Sequence, residues 1–370
     1  MYTSTHVQMP SSDSLAQSAG VPAPILFMLG SVHEFPWRSP RMKKSCSLAL
    51  LVGIVVPCAS SQQAHLLVAQ KGESSLGIID PAAGRLVASV PEGGTTGHEV
   101  IASPDGRLAY VPIYGNSGVG KPGTNGTKLV VIDIASQKIV GTVDFGHGVR
   151  PHMPLFGPKD GLLYVTTELD QTVSLIDPKT LKIVGAIPTG QPESHMLALS
   201  RDGKRGYTAN VGPGTVSVLD IAARKTLTVI PISKNTQRIS ITPDDKWVFT
   251  ADQTKPQLAA IDTATNKIAH WVPLDGIAYG TAPTLDNRYL VVTIPNKNEV
   301  AIVDLKTMQV ARNVPTPPDP QEVLMRPDGK VAYVSCVGSH QIAEIDLATW
   351  KVTRTIQDGN NSDGIAWAGK

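Results

Sequence analysis

The chain has 370 residues, 41% of them apolar and 17% charged, with a formal net charge of +2. That balance excludes a disordered polyelectrolyte, and near-neutrality with both signs interspersed gives no electrostatic reason to expect nucleic acid or an anionic surface as partner. Three cysteines exclude a disulfide-rich scaffold, while 33 glycines and 29 prolines imply frequent turns.

Residues 1–41 carry no sustained period, and their longest apolar stretch, near Pro24 to Gly30, is too short to span a bilayer. They read as a mis-called or disordered N-terminal extension, with Met42 as the true start. Met42-Lys43-Lys44 precedes the unbroken run Leu48 to Val56, which is followed by Pro57-Cys58-Ala59-Ser60-Ser61. A basic start, a short apolar segment and the small residues Ala59 and Ser61 before a cleavage point are the order of a secretory signal peptide. Residues 42–61 are therefore expected to be a signal peptide and the chain to be periplasmic or extracellular, with no transmembrane span once processed. Cys58 offers lipid anchoring as a minor alternative, although Pro57 stands where a small residue is usual. Only Cys336 then remains, and one cysteine forms no internal disulfide.

From Gln63 onward one phrase repeats. An apolar, β-rich run ending in aspartate recurs at Asp80, Asp133, Asp177, Asp220, Asp262, Asp304 and Asp346, with successive spacings of 53, 44, 43, 42, 42 and 42 residues. Solenoid repeats of similar length are helical, whereas short Val-, Ile-, Thr- and Tyr-rich runs between Gly, Pro, Asp and Asn clusters are strands. Residues 62–370 are thus expected to be all-β: a seven-bladed β-propeller of four-stranded antiparallel blades. In one repeat, His195 to Leu199 would be the innermost strand, Gly206 to Asn210 the second, Val216 to Asp220 the third and Lys225 to Ile230 the outermost. Ser200-Arg201-Asp202-Gly203 reads as a tight turn, and it recurs as Ser103 to Gly106, Thr242 to Asp245 and Arg326 to Gly329. The seven strand-ending aspartates read as turn caps, not acid/base groups.

The first repeat lacks an innermost strand, and the chain ends in Asp363-Gly364-Ile365-Ala366-Trp367, an innermost strand without a blade. Joining the two ends would close the ring and remove two open sheet edges. Gly115 to Pro122 looks superficially like a phosphate-binding loop. Pro122 stands where that loop needs Ser or Thr, and a strand, Leu129 to Asp133, follows instead of a helix. It reads as an insertion of about ten residues that accounts for the 53-residue spacing and offers a flap over one face.

Tyr164-Val165-Thr166-Thr167, Tyr207-Thr208-Ala209-Asn210 and Tyr110-Val111-Pro112, each between a Pro-Asp-Gly-like turn and an Ile-Asp strand end, resemble the YVTN family of β-propeller repeat proteins. The resemblance covers about residues 64 to 370. It implies surface-layer or periplasmic binding proteins, with lactone hydrolases and metal-dependent lyases among related propellers. Fold alone does not choose among them.

A seven-fold repeat supplies its own control: residues in every blade serve the blade, and those that break the pattern are candidates for function. At the expected start of each innermost strand stand His98, His152, His195, Gln237, Tyr279, Gln321 and Ser362, followed by Glu99, Met153, Met196, Arg238, Gly280, Glu322 and Asp363. His98, His152 and His195, with Glu99, are candidate ligands for a divalent metal ion such as zinc, copper or manganese. The blander reading is the polar lining of a wet channel. Arg150, Glu193, Arg238, Tyr279, Gln321 and Glu322 are candidate ligand-binding residues. Together with His147 and His340 they are expected on one face, the top, while the other face repeats itself. Cys336 is expected in a second-to-third-strand loop near His340, partly buried, and neither it nor any serine carries a nucleophile motif.

Three functions follow, in this order. The first is an exported binding protein taking a small molecule, a glycan or an envelope protein at the top mouth of the channel. The second is a metal-dependent hydrolase or lyase, lactonase-like, using the histidines. The third is a structural cell-surface protein.

Overall fold

The computed structural model describes residues 63–369; the extension and signal-peptide expectations fall outside the described residues. These residues form seven four-stranded antiparallel sheets arranged in a ring. Blade 1 combines 65–91 with 362–368, and blades 2 to 7 span 101–144, 151–188, 194–231, 236–273, 281–315 and 320–357. No helix among the described residues is long and apolar enough to cross a membrane.

Blade 4 shows why these residues make these strands. Its strands are Ser194–Leu199, Arg205–Asn210, Thr215–Asp220 and Lys225–Pro231. The second and third are buried on both faces because neighbouring blades stack against each, so their interior carries no regular polar alternation, and the buried polar side chains Asn210 and Ser217 bond each other. The outermost strands have one wet face and an open edge, and in blade 1 exposure alternates along Arg85–Pro91. Tyr110, Tyr164, Tyr207 and Tyr333, from the second strands, are each at most 2% exposed and fill the space between blades.

The seven repeated aspartates are turn caps. Asp80 Oδ1, for example, accepts the amides of Ala82 and Ala83 at 2.9 Å, and Asp346 Oδ1 accepts that of Thr349 at 2.7 Å. Closure joins the two ends of the described chain: Leu66 pairs with Trp367, Leu67 with Ala366 and Val68 with Ile365. Leu66, Leu67 and Val68 are fully buried as a result.

Three local expectations are corrected. Cys336 closes the second strand Val331–Cys336 and does not lie in a loop; it is fully buried, and burial pushes its thiol up to about 12. The insertion folds back as a hairpin whose strand begins at Asn125, well before Leu129, because Gly115 pairs with Asn125. The innermost strand of blade 2 is only Ile101–Ala102 and that of blade 6 only Thr281–Pro283, so His98, Glu99 and Tyr279 stand before these strands, not in them.

Candidate functional site

Backbone irregularity at one end of the innermost strands aims the candidate side chains. The pairing slips between Pro151 and Pro154, Ser194 and Met196, Gln237 and Ile239, and Pro320 and Val323. Such a bulge leaves a residue unpaired and turns its side chain. In blade 4 the unpaired residue is His195. In blade 5 the slip falls one residue later, so the unpaired residue is Arg238, held at φ 55°. The third residue of the Tyr-Val-Thr motif fastens these bulges: Thr166 Oγ1 accepts the Met153 amide at 2.9 Å and donates to the His195 carbonyl of the next blade at 2.8 Å. At the same motif position Thr293 Oγ1 donates to the Gln321 carbonyl at 2.8 Å, whereas in blade 5, where the slip is displaced, Thr250 Oγ1 from one position earlier donates to the Arg238 carbonyl at 2.7 Å. A repeated structural hydroxyl thus fixes non-repeated side chains.

The three histidines come together. The His152 and His195 rings lie 3.5 Å apart between centroids, and His98 and His152 5.6 Å apart, with Tyr114 touching all three. His195 Nδ1 bonds Glu168 Oε2 at 3.2 Å, and the Tyr114 hydroxyl donates to the same oxygen at 2.7 Å. Burial alone would raise the Glu168 carboxyl, but the bonds from His195 and Tyr114 and the Arg150 guanidinium hold it below its ordinary value. Burial depresses all three imidazoles, His98 to about 3, so they stand neutral at neutral pH. A neutral His195 donating from Nδ1 to an ionised Glu168 keeps Nε2 as an acceptor. His152 is 2% exposed, and its Nδ1 has no hydrogen-bond partner among the described residues.

Arg238 crosses the channel beside them. Its guanidinium pairs with Glu99 from blade 2, Glu322 from blade 7 and, at 2.8 Å, Asp363 from the closing strand, and it lies 5.0 Å from the Tyr279 ring centroid. Lys71 Nζ holds the other Asp363 oxygen at 3.0 Å. Burial raises Glu99 to about 8 and raises Glu322, in both cases against the pull of Arg238. Asp363, despite burial, is held well below the usual carboxylate range by Lys71 and Arg238. Together these groups plug the channel with an ion cluster whose protons are shared among crowded carboxylates.

Between the two clusters lies a cavity of about 330 Å³, lined by Lys71, His98, His152, His195, Arg238 and Tyr279, and roofed by Gly118, Val119 and Lys121 of the insertion. The flap is anchored by Arg150, which donates from Nη2 to the Lys121 carbonyl at 2.7 Å and from Nε to Asn125 Oδ1 at 2.8 Å. Arg150, Glu193, Asp319 and Asn361 occupy the same left-handed position, each one residue before its innermost strand. Their backbone role is therefore repeated, and only their side chains differ. Glu193 accepts the Gly212 amide at 2.7 Å. Gln321 turns away to Asp319 Oδ1 at 3.0 Å, the exposed His147 pairs with Asp170 at 2.8 Å, and the exposed His340 accepts the Asn361 amide.

A metal held by the three histidines would need their nitrogens to converge. The His152 and His195 rings lie 3.5 Å apart between centroids at a tilt of 31°, Glu99 is engaged by Arg238, and among the described residues no group of three or more His, Cys, Asp or Glu side chains is disposed to hold an ion. Glu168, Lys71 and Gln253 were not among the sequence-derived candidates. All three stand one residue past a second strand, where other blades carry Val211, Pro295 and Val337, so the same comparison between blades applied at that position exposes them.

Residues 92–271 match a family model described as lactonase, 7-bladed beta-propeller. Among solved structures, Kuenenia stuttgartiensis hydrazine synthase superposes with a TM-score of 0.65 at 21% identity, over 77% of this chain and 92% of that one, a likeness that shows the fold. No curated protein matches. The ring of seven four-stranded blades, closed by the pairing of His65–Gln70 with Ser362–Ala368, is a seven-bladed β-propeller whose residues 92–271 are similar to the lactonase-type propellers.

Proposed function

We propose that this is an exported propeller, its signal peptide at 42–61, that binds a small polar molecule in the cavity beneath the flap. The carrying observation is His152: a buried imidazole with an unpartnered nitrogen, against a cavity, flanked by two other histidines. Leaving a buried polar atom unbonded costs about 1–3 kcal/mol, which a ligand hydroxyl or carbonyl would recover. Arg238, Tyr279 and Lys71 form the floor, and Arg150 acts through the flap. A glycan or envelope protein at this face would have to displace the flap, so a small molecule fits better.

A second reading is hydrolysis or lyase chemistry at the same mouth, and the His195–Glu168 pair favours it. An imidazole oriented by a buried carboxylate is the arrangement of a general base, able to take a proton from water attacking a lactone carbonyl. A bound divalent metal would belong to this reading.

The test is a thermal-shift panel of small hydroxy acids, lactones and free sugars on the full chain, with metal analysis of protein purified without chelator. A ligand at 100 times its dissociation constant stabilises by about 2.7 kcal/mol. His152→Ala should abolish that shift while leaving the unliganded melt nearly unchanged. Retention of the shift in both His152→Ala and His195→Ala overturns the site, and metal in stoichiometric amount moves the assignment to the second reading.

A further inference from the structure

The face opposite the flap is not uniform. Each pair of neighbouring blades meets there in a cleft between the turn that opens a second strand and the aspartate-capped turn of the next blade. Two positions decide what that cleft offers. The first residue after the turn is Leu108, Leu162, Arg205, Trp247, Tyr289 and Val331 in blades 2 to 7. The left-handed position of the capped turn carries Gly84, Gln137, Leu181, Arg224, Asn266, Met308 and Trp350. Only between blades 6 and 7 do two aromatics coincide: Tyr289 and Trp350 meet edge to face, 5.3 Å between centroids at 80°.

We propose that this cleft is a second binding site, for a short neutral oligosaccharide. Its volume is about 850 Å³, within the size of small-ligand clefts and too large for a lone ion. The aromatic corner supplies flat apolar surface for the C–H face of a pyranose, and Leu285, 40% exposed, extends it. Around it stand donors and acceptors suited to hydroxyl groups. Asp286, Asp328 and Asp346 each spend Oδ1 within their own turns, on Thr284, Lys330 and Thr349, which leaves Oδ2 of each to a ligand. Arg288 is braced on Tyr289, with its guanidinium 5.1 Å from the ring centroid and Nη2 3.2 Å from the hydroxyl, and Lys330 lines the same wall. Acids and bases in near balance disfavour a strongly charged ligand and suit a polyhydroxylated neutral one. A tryptophan at positive φ is unusual for so bulky a side chain, and here it completes the corner.

The experiment is saturation-transfer NMR on the full chain with glucose, galactose, N-acetylglucosamine and their β-1,4-linked trimers, with a polyproline peptide as comparison. At least one trimer should give transfer that Trp350→Ala and Tyr289→Ala reduce at least tenfold in affinity and Trp350→Phe largely preserves. His152→Ala, at the other end of the channel, should leave it unchanged. The proposal is overturned if no sugar of the set binds, if transfer survives in Trp350→Ala, or if the peptide binds in place of the sugars. Cooperative melting of Trp350→Ala and Tyr289→Ala and retained binding by Trp350→Phe separate loss of the site from loss of the fold.

Discussion

Replacing Arg238 with methionine tests the channel plug directly. The side chain is 3% exposed and shared by Glu99, at 3%, Asp363, at 6%, and Glu322. Methionine keeps most of the volume but removes the charge, so Asp363 retains Lys71 while Glu99 and Glu322 lose the cation they share. Breaking a buried ion pair by removing one partner costs about 3–5 kcal/mol. The cost should depend on pH. In the native fold Glu99 keeps its proton until about pH 8, against an ordinary value of 4.5, so its contribution to stability is full below 4.5 and is lost as pH rises towards 8. Without Arg238 that carboxyl must be raised further, and the variant should be far more impaired at pH 8 than at pH 5, where protonation relieves the uncompensated charge. Urea unfolding followed by tryptophan fluorescence at the two pH values measures the difference. A loss below about 1 kcal/mol at pH 8, or a larger loss at pH 5 than at pH 8, refutes the account of the plug, since either falls outside what a broken buried pair costs.

Two further outcomes are expected. Truncation after Gln357 removes the strand that covers Leu66, Leu67 and Val68, so it should give an aggregating, protease-sensitive product by size-exclusion chromatography and limited proteolysis, where an ordinary tail deletion would melt like the parent. Arg150→Ala frees the carbonyls of Gly118 and Lys121; amide exchange should rise within 116–124 while the Leu163–Thr167 strand stays protected, and equal protection of the flap in both proteins would show that Arg150 is not its anchor.

The architecture was legible because a propeller writes its period into the text: the spacing of the aspartates and the Pro-Asp-Gly turns are local signals repeated in almost every blade. The strand limits of blade 4 differ from expectation by at most one residue for the same reason. The channel histidines were legible as departures from a pattern. What a repeat comparison could not carry was pairing between departures. Nothing local to Arg238 announces that Glu99, Glu322 and Asp363, from three other blades, converge on it. Cys336 was misplaced because a strand end and a loop start differ by one hydrogen bond, which composition does not encode. The expectation of a featureless second face failed because turn type is repeated while the side chains riding on the turn are not, as Tyr289 and Trp350 demonstrate.

The closing strand also sets the timing of assembly. Gln70 donates to the carbonyl of Asp358, 288 residues away, and the strand beyond it completes blade 1. Blades 2 to 7 are built from contiguous segments and can form as each segment becomes free, because their contacts are local. Blade 1 cannot. A chain that has delivered six finished blades still presents His65–Gln70 as a bare apolar edge until its last dozen residues arrive. The final step is then the pairing of Ser362–Ala368 with His65–Gln70 across an almost complete ring, which makes this strand the latch that holds the circle shut.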